Sequence, residues 1–383
     1  MRALMTATVP SMIGQFNMNN IKILLELGFE VDVACDFNDR SVWSEEKVSK
    51  FRNEMQKMGI QLFHIDFSRS PGQLKKHIVS YHEMKKLMAD RKYDLIHTHT
   101  PISSFITRLA FKNSSIFESC RMIYTAHGFH FFKGNSVAKN FIFKSIEKYA
   151  AKYTDILITI NSEDYEAAKK FKLRKNGRIE YVPGVGINLE KINSINEKRE
   201  EFLKELSISE DSFLMLSVGE LNENKNHKAI VEILNDLPGN VHYLICGQGN
   251  KKEELIKVAE EKNCKDRLHL LGYREDIIAI MKSCDLFVFP SMREGLSVAL
   301  MEAIACGLPC VVSDIRGNRD LVKDGKNGYL SPLDSFLETI RKTLSMDDKS
   351  FKMISQVNID ESSKYSEKNI SEFYRKLIES ILC

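Results

Sequence analysis

The chain of 383 residues is long enough to form two domains of average size. Its hydrophobic content of 43% and charged content of 28% are ordinary for a globular protein, which excludes a disordered or fibrous chain. The formal net charge is only +3 and no basic module interleaved with aromatic residues occurs, so nucleic-acid binding is not expected.

In the first half of the chain, short β-rich runs alternate with longer segments of helical periodicity. The predicted strands are Ala3–Thr8, Glu30–Cys35, Gln61–Phe67, Asp94–Thr98, Arg121–Ala126, Asp155–Ile160 and Ile179–Val182. The predicted helices include Phe16–Leu27, Gln73–Asp90 and Val137–Tyr153, and Gly28 follows the first of them at a position that favours a left-handed cap. This alternation predicts a parallel sheet covered by helices on both faces.

The same pattern restarts in the second half. The predicted strands are Phe213–Val218, Val241–Cys246, Arg267–Leu271, Leu286–Pro290 and Cys310–Ser313. The predicted helices are Ala229–Leu234, Lys252–Lys262, Asp276–Lys282 and Val298–Cys306. A glycine- and proline-rich segment, 182–186, separates the halves and suits a hinge. We therefore predict an α/β protein of two doubly wound, Rossmann-like domains, 1–185 and 186–383, facing across a central cleft that holds the ligands. The last helix, about 367–383, fits either domain.

The eight cysteines form no Cys-x-x-Cys pair, and most lie in apolar runs. No secretory signal precedes the first strand, and no stretch reaches the ~18 apolar residues of a membrane-spanning helix. We therefore expect reduced thiols and a cytoplasmic protein, with Cys306 and Cys310 packed rather than paired.

The segment from Ser291 to Pro309 carries the strongest chemical signal. A buried strand leads into a loop containing Gly295, and Ser297 is well placed as the N-cap of the next helix. Free amides at such a helix start favour a diphosphate. Glu294 and Glu302, eight residues apart, would repel phosphate but are suited to accept hydrogen bonds from sugar hydroxyls.

The segment Glu294-Gly-Leu-Ser-Val-Ala-Leu-Met-Glu302 resembles the signature of the family-4 retaining glycosyltransferases, which have the GT-B fold. Four further segments match that family in order and spacing, and they resemble its capsular and exopolysaccharide branch. They are Thr6-Ala-Thr-Val-Pro10, His97-Thr-His-Thr-Pro101, Tyr124-Thr-Ala-His-Gly-Phe129 and Val218-Gly-Glu-Leu221 with Lys225. The resemblance covers nearly the whole chain.

The resemblance implies roles for the donor residues. Glu294 would approach the donor sugar hydroxyls, Glu302 would hold the nucleotide ribose, and the amides of Leu296 to Val298 would meet the phosphates. The turn at Tyr273 and Arg274 would border the base through its backbone. Gly14 would lie in the first strand-to-helix turn, near phosphate and acceptor.

The Val218-Gly219-Glu220 segment departs from the family pattern. The family usually has an arginine followed five residues later by a lysine, and both contact the donor diphosphate. Here Lys225 is present, but Glu220 replaces the arginine. Either Lys225 alone neutralises more of the diphosphate charge, or Arg293 or Arg316 supplies the positive charge of the missing arginine. Alternatively, Glu220 binds a hydroxyl.

The first domain contributes histidines at the ends of its strands. By resemblance, His127 would touch the donor sugar near the reacting carbon. We expect His97 and His99 to point to opposite faces of their strand, with one in the core and His99 in the cleft. His99 and Thr100 are assigned to the acceptor.

The resemblance implies transfer with retention, in which a donor phosphate oxygen helps to deprotonate the incoming hydroxyl. No Asp-x-Asp site is present in a suitable loop, so no metal and no cofactor are expected beyond the nucleotide sugar. We favour a UDP-linked N-acetylhexosamine or hexose as donor and a polyprenyl-diphosphate-linked saccharide as acceptor. The basic first half and the lysine- and phenylalanine-containing segment 137–153 suggest peripheral contact with an anionic membrane at the inner face of the cell membrane, or else an ordinary packed helix.

Two other functions remain open. One is a sugar-nucleotide epimerase of the same fold, which would act on the donor without an acceptor. The other is a non-catalytic subunit that binds nucleotide sugar, a reading favoured by Glu220.

Overall fold

A computed structural model describes residues 1–382, which divide into two compact units. The first unit comprises Met1–Val185 together with the chain from Ile370 onward, and the second comprises Gly186–Asn369. None of the described helices combines the length and the apolarity needed to cross a bilayer. The seven described cysteines are all free thiols.

The first unit contains a seven-stranded, fully parallel sheet in the order β3-β2-β1-β4-β5-β6-β7. Its strands are β1 (Arg2–Thr6), β2 (Glu30–Cys35), β3 (Gln61–His64), β4 (Leu95–His99), β5 (Arg121–Ala126), β6 (Ile156–Thr159) and β7 (Arg178–Tyr181). Its helices before Val185 are α1 (Pro10–Phe16), α2 (Met18–Glu26), α3 (Glu45–Lys57), α4 (Leu74–Arg91), α5 (Pro101–Lys112), α6 (Val137–Ala151) and α7 (Ser162–Ala168).

The second unit contains a six-stranded parallel sheet in the order β10-β9-β8-β11-β12-β13. Its strands are β8 (Phe213–Val218), β9 (Val241–Cys246), β10 (Leu268–Gly272), β11 (Leu286–Phe289), β12 (Cys310–Ser313) and β13 (Tyr329–Ser331). Its helices are α8 (Leu189–Ser194), α9 (Arg199–Leu206), α10 (Lys228–Val231), α11 (Lys252–Glu261), α12 (Ile277–Ser283), α13 (Val298–Ala305), α14 (Asn318–Leu321), α15 (Phe336–Leu344) and α16 (Asp348–Ser362).

The central strands of both sheets are buried on both faces. In β11 this burial agrees with a continuous apolar run, whereas β4 also buries His97, Thr98 and His99. In the first unit, Leu4, Ile96 and Met122 pack beneath α4 and α5, which supply Met84 and Phe111 to the same cluster. The predicted α/β fold class, with parallel sheets covered by helices, is therefore confirmed.

The last helix, α17 (Glu367–Leu382), packs on the first unit from Ile370 onward. Ile370, Tyr374, Leu377 and Ile378 are buried, at the spacing of one helical face. The Tyr374 hydroxyl lies 3.4 Å from the Thr125 hydroxyl of β5. This packing decides between the two placements that the sequence left open.

One predicted helix begins two residues too early. The predicted helix Phe16–Leu27 corresponds to α2, whereas Phe16 is the last residue of α1, a separate helix that was not predicted, and Asn17 leaves the helical conformation between them (φ −129°, ψ 5°). The Asn17 side-chain amide donates to the Met12 carbonyl of α1 at 3.0 Å. The predicted cap after α2 is confirmed, since Gly28 has a φ of +83°.

Candidate active site

In the second unit, the order of the strands reverses between β8 and β11. In doubly wound sheets, ligands bind outside the carboxyl ends of the strands at such a reversal. β8 ends at Val218 and β11 ends at Phe289, so the loops that follow them meet at this point.

Hydrogen bonds join these two loops directly. The Met292 amide donates to the Asn224 carbonyl at 2.7 Å, and the Asn224 side chain donates to the Arg293 carbonyl at 2.9 Å. The Asn226 side chain donates to the Pro290 carbonyl at 3.3 Å. The loop after β8 therefore fixes the backbone immediately before Glu294.

Lys225 and Glu294 form an ion pair at the centre of this arrangement. The Lys225 Nζ lies 2.8 Å from Glu294 Oε1, and the side chains are only 19% and 12% exposed. The ammonium also lies 4.6 Å from the centre of the Phe289 ring, a cation–π contact. A positive and a negative group are thus held together at the strand ends.

Glycines make room for this pair. A Cβ on Gly219 would come within 3.1 Å of the Lys225 stem, and a Cβ on Gly247 would lie 1.8 Å from the Gly219 carbonyl oxygen. The loop after β8 can therefore lie against the loop after β9 only because glycine stands at position 247.

Helix α13 begins directly after the Glu294 loop. Ser297 is its N-cap, with an extended backbone (φ −84°, ψ 121°) and a hydroxyl that accepts from the Leu300 amide at 3.4 Å. The expected capping by Ser297 is confirmed. The buried Arg316 donates through Nε to the Glu294 carbonyl at 3.2 Å and holds the preceding loop from the other side.

Glu302 lies within α13 and is partly buried. Burial raises its pKa to about 7, and the charge of Lys191 offsets only part of that effect. A carboxyl in such a place gains from hydrogen-bond donors that favour its ionised form. Glu302 is therefore chemically suited to receive ligand hydroxyls.

The first unit has its own strand-order reversal, between β1 and β4. Thr8, just beyond β1, and Thr100, just beyond β4, meet there with their hydroxyls 2.8 Å apart. The Thr100 hydroxyl also accepts from the Thr8 amide at 3.0 Å and lies 2.6 Å from the Ser103 hydroxyl.

Thr100 has a φ of +65° and a ψ of 134°, a conformation that a β-branched residue rarely adopts. Its hydroxyl contacts keep the backbone there, directly before Pro101, the first residue of α5. Strain of this kind persists only where the surroundings enforce it, and it concentrates at functional sites.

Three histidines lie together beside this reversal, and the expectation that His97 and His99 point to opposite faces is wrong. Side chains two residues apart on a strand share a face, and these two rings are 4.2 Å apart. Both are fully buried, so His99 also lies in the core. His99 Nδ1 lies 3.1 Å from Nε2 of His127, which is less buried and forms the outer end of the row.

Burial keeps these histidines neutral. It lowers the pKa of His127 to about 4, and together with repulsion from His127 it lowers the pKa of His97 to about 3. The pKa of His99 is also well below its ordinary value, for the same reason. At neutral pH His127 therefore offers hydrogen bonds and no charge.

Family models match both units. The model described as Glycosyltransferase Family 4 matches residues 15–191, and the model described as Glycosyl transferases group 1 matches residues 198–358. EpsD of Bacillus subtilis (strain 168), provisionally named a glycosyltransferase, is 31% identical over 333 residues, which are 86% of this chain and 83% of that protein. The chain belongs to the family 4 glycosyltransferases.

Two further likenesses are informative. The Escherichia coli UDP-Gal:alpha-D-GlcNAc-diphosphoundecaprenol alpha-1,3-galactosyltransferase is 34% identical over 290 residues, or 73% of each chain. The crystal structure of HepE from Anabaena in complex with UDP and glucose superposes with a TM-score of 0.76 at 17% identity, covering 99% of this chain and 100% of that one. The glycosyltransferase therefore has the GT-B fold.

Three of the expected donor residues do not join the Lys225–Glu294 pair. Tyr273 is 63% exposed beyond β10, at the edge of the sheet. The Arg274 guanidinium is bound by Glu205 at 2.6 Å and by Asp276 at 2.7 Å. The Glu220 side chain is exposed, so it does not take the place of the family's arginine within the pair.

Gly14 lies within helix α1 and not in a phosphate-binding turn, so that expectation of its position is wrong. A Cβ there would lie 2.3 Å from the Trp43 ring, which packs against α1. The residue is therefore small because a distant aromatic side chain needs the space, and no local pattern in the sequence marks that contact.

A buried polar network beneath the loop after β8 was missed in the sequence. The Ser217 hydroxyl lies 2.8 Å from the Tyr243 hydroxyl, which lies 3.2 Å from His227 Nδ1. Burial and the nearby Lys225 charge lower the pKa of His227 to about 4. His227 lies two residues after Lys225, which was the one available signal of its importance.

One group of described residues has metal-ligating atoms close together: Asp36, His64 and Asp66, at the ends of β2 and β3. Lys76 already lies 2.8 Å from the Asp66 carboxylate. This ammonium supplies the positive charge that a cation would bring, and the group lies on strands away from the β1–β4 reversal.

Proposed function

We propose that this glycosyltransferase moves a sugar from a UDP-sugar onto a polyprenyl-diphosphate-linked saccharide, with retention and without a metal, in the synthesis of a capsular or extracellular polysaccharide. The observation that carries the proposal is the Lys225–Glu294 pair, held at the strand-order reversal directly before the N-terminus of α13. It combines a cation for phosphate with a carboxylate for sugar hydroxyls.

The donor contacts follow from that geometry. In the free enzyme Lys225 and Glu294 neutralise each other. A diphosphate would take over the ammonium, aided by the amides at the start of α13, while Glu294 would turn to the sugar hydroxyls. Glu302 would accept from the ribose hydroxyls. The HepE structure, which contains UDP and glucose on the same fold, supports a donor of this class.

The charge balance at the diphosphate rests on Lys225 because Glu220 stands where the family usually has arginine. Arg316 contributes by holding the Glu294 carbonyl, and so the loop. Stabilising the departing UDP by preorganised charge and amides is the main contribution such a site makes to the rate.

Retention would proceed on one face of the donor sugar. The acceptor hydroxyl oxygen forms the new bond to the anomeric carbon as the bond to the UDP oxygen breaks, and the hydroxyl proton passes to a phosphate oxygen of the leaving UDP. His127, neutral because of its low pKa, would position a sugar hydroxyl without adding charge. Catalysis then rests on positioning and on electrostatics.

The acceptor class is supported by the Escherichia coli relative, whose name specifies a diphosphoundecaprenol-linked sugar. Such a lipid lies in a membrane, and helix α6 fits contact with one. Val137, Phe141 and Ile142 are exposed on its first turns beside Lys139 and Lys144. Apolar and basic groups together favour peripheral binding to an anionic surface.

The test is UDP release by the purified chain, with a panel of UDP-sugars and a polyprenyl-diphosphate-linked saccharide, in the presence of EDTA. We expect release that requires both substrates and that is lost in Lys225→Ala but not in Lys228→Ala, a nearby exposed lysine on α10. Conversion of the donor alone would favour an epimerase. Binding of UDP-sugar without release for any acceptor would favour a non-catalytic subunit.

A further inference from the structure

A large apolar groove lies in the first unit, along α5 between α4 and α6. Its volume is about 640 Å³, within the range of about 300–1,000 Å³ of small-molecule sites. Its apolar lining includes Ile78, Ile102, Phe105, Leu109, Phe143 and Ile146. No role in the donor chemistry above accounts for a cavity of this kind.

The outer end of the groove leaves apolar side chains uncovered. Leu74 is 69% exposed and Ile78 is 59% exposed, although both line the groove on α4. Contiguous exposed apolar surface on a folded protein usually marks a binding site. The groove therefore has the character of a surface that a ligand completes.

The inner end of the groove reaches the residues assigned to the acceptor. Pro101 lines it and directly follows the strained Thr100 at the end of β4. His130 lines it as well, three residues after His127. A molecule lying in the groove would thus have one end beside the row of histidines, where the reacting sugar is expected.

The charges along the groove favour a ligand with an anionic group. Helix α6 carries Lys139, Lys144 and Lys148. Its one acidic residue, Glu147, is bound to the fully buried Arg108 at 2.9 Å and is not a counter-charge for those lysines. These lysines do not line the groove, but Lys144 and Lys148 directly follow the lining residues Phe143 and Glu147, so basic residues flank the α6 side of a mostly apolar groove.

The lining argues against a peptide. An extended chain would bring N–H and C=O groups that need hydrogen-bond partners, and an apolar lining does not supply them. Among the polar lining residues, Tyr81 accepts from Asn113 at 2.9 Å and His77 Nε2 lies 3.0 Å from the Ser70 carbonyl, whereas His77 Nδ1 is buried without a hydrogen-bond partner among the described residues. A single such nitrogen is too little to pair the backbone of an extended peptide. A hydrocarbon chain has no such requirement.

We propose that this groove holds the isoprenoid chain of the lipid-linked acceptor, with the first isoprene units at the Pro101 end and the diphosphate toward the α6 lysines. This inference rests on the proposed function, since it assumes an acceptor of that class. It goes further by assigning the lipid tail its own site on the protein, separate from the exposed face of α6 that would meet the bilayer. The tail would raise acceptor affinity and place the sugar.

The direct test is binding of farnesyl phosphate to the full chain in detergent-free buffer, measured by calorimetry, with inorganic phosphate as the headgroup control. Two variants on α4 form a matched pair. Ile78→Lys places a charge in the groove, whereas Val79→Lys places one at the neighbouring position, which is 46% exposed and lies outside the lining. Both positions are exposed enough to accept lysine without unfolding the chain.

We expect the parent and Val79→Lys to bind farnesyl phosphate at least tenfold more tightly than inorganic phosphate, and Ile78→Lys to lose at least tenfold in affinity. Equal affinity for the two probes in the parent, or equal binding by the two variants, would overturn the proposal. Far-ultraviolet circular dichroism of each variant checks the fold.

Transfer assays separate this proposal from the proposed function. With a polyprenyl-linked acceptor, Ile78→Lys should raise the acceptor KM at least tenfold. With the same saccharide diphosphate carrying a methyl group in place of the lipid, parent and variant should have equal KM and kcat. If the parent transfers sugar and Ile78→Lys changes neither acceptor's KM, the proposed isoprenoid site is refuted and the proposed function stands. If the parent transfers no sugar but still binds farnesyl phosphate in the groove, the proposed function is refuted and the groove remains a lipid site.

Discussion

Glu302→Gln should stabilise the protein above neutral pH and weaken its binding of UDP. The carboxyl of Glu302 is partly buried in α13, and burial raises its pKa from 4.5 to about 7. The native state therefore keeps the proton over a pH range in which the unfolded chain has lost it. Glutamine has nearly the same shape and no charge, so the substitution removes this cost with little change in packing.

The sign and size follow from the two pKa values. Below about pH 4 both states are protonated and the carboxyl contributes nothing to the difference in stability. As the pH rises from 4.5 to about 7, the native state binds more protons than the unfolded state, and stability falls. At ~1.4 kcal/mol per pH unit between the pKa values, the full loss is about 3 kcal/mol, an upper bound because solvent reaches part of the side chain.

The assay is urea denaturation, followed by circular dichroism, of the parent and Glu302→Gln at several pH values. Their free energies of unfolding should agree near pH 4 and diverge by up to about 3 kcal/mol near pH 8, with the variant more stable. Glu338→Gln, at an exposed position on α15 of the same unit, controls for loss of charge. Parallel pH profiles for the parent and Glu302→Gln would refute the reasoning.

The same carboxyl links pH to ligand affinity. If ribose hydroxyls donate to its ionised form, UDP binding lowers the pKa of Glu302, and parent affinity rises with pH through about 7. The titration of UDP itself is common to the parent and the variant, so their difference isolates Glu302. Glu302→Gln should bind UDP more weakly at pH 8, although it is more stable there. UDP affinity equal to that of the parent would remove Glu302 from the nucleotide site.

Two further predictions concern the loops around the ion pair. Lys225→Ala should lower kcat by about 100- to 1,000-fold, and more than Lys225→Arg does, because the departing UDP loses its positioned cation. A double-mutant cycle of Lys225→Ala with Glu294→Ala, measured by urea denaturation, should give a coupling free energy of about 1–3 kcal/mol. Additive changes in the free energy of unfolding would show that the pair does not couple. Gly247→Ala should abolish UDP binding measured by calorimetry, because its Cβ would lie 1.8 Å from the Gly219 carbonyl oxygen, whereas Gly239→Ala, with nothing within 4 Å, should bind as the parent does.

The loops around the Lys225–Glu294 pair have determinants that are local or follow from strand order. The N-cap at Ser297 depends only on a few adjacent residues of the chain. Lys225 and Glu294 are 69 residues apart, yet each follows a strand that the apolar pattern predicts, and those strands are neighbours in the sheet. The carboxyl ends of adjacent parallel strands lie side by side, so strand order brings the two loops together, while the ion pair itself was not predicted.

The other residues depended on contacts that no local pattern encodes. Gly14 is small because Trp43 packs onto α1. The Arg274 guanidinium is bound by Glu205, which belongs to α9 and lies far from it in the chain, whereas the expected base contact through the backbone of this turn stays a prediction. The error at His99 has a different reason. Residues two positions apart on a strand share a face, so the spacing of His97 and His99 already predicts that their side chains lie side by side.

The replacement of the family's arginine by Glu220 is easier to understand from the way Lys225 is held. Its stem lies against Gly219, its ammonium lies over Phe289, and its charge is bound by Glu294, so its position does not depend on a neighbouring arginine. What the replacement changes is charge: one cation is lost and one exposed carboxylate is added near the loop. Under the proposed function, the amides at the start of α13 and Lys225 would then carry more of the diphosphate's negative charge, because Arg316 is buried and engaged with the loop backbone. Disturbing either of them should therefore cost this enzyme more than it would cost a relative that keeps the arginine.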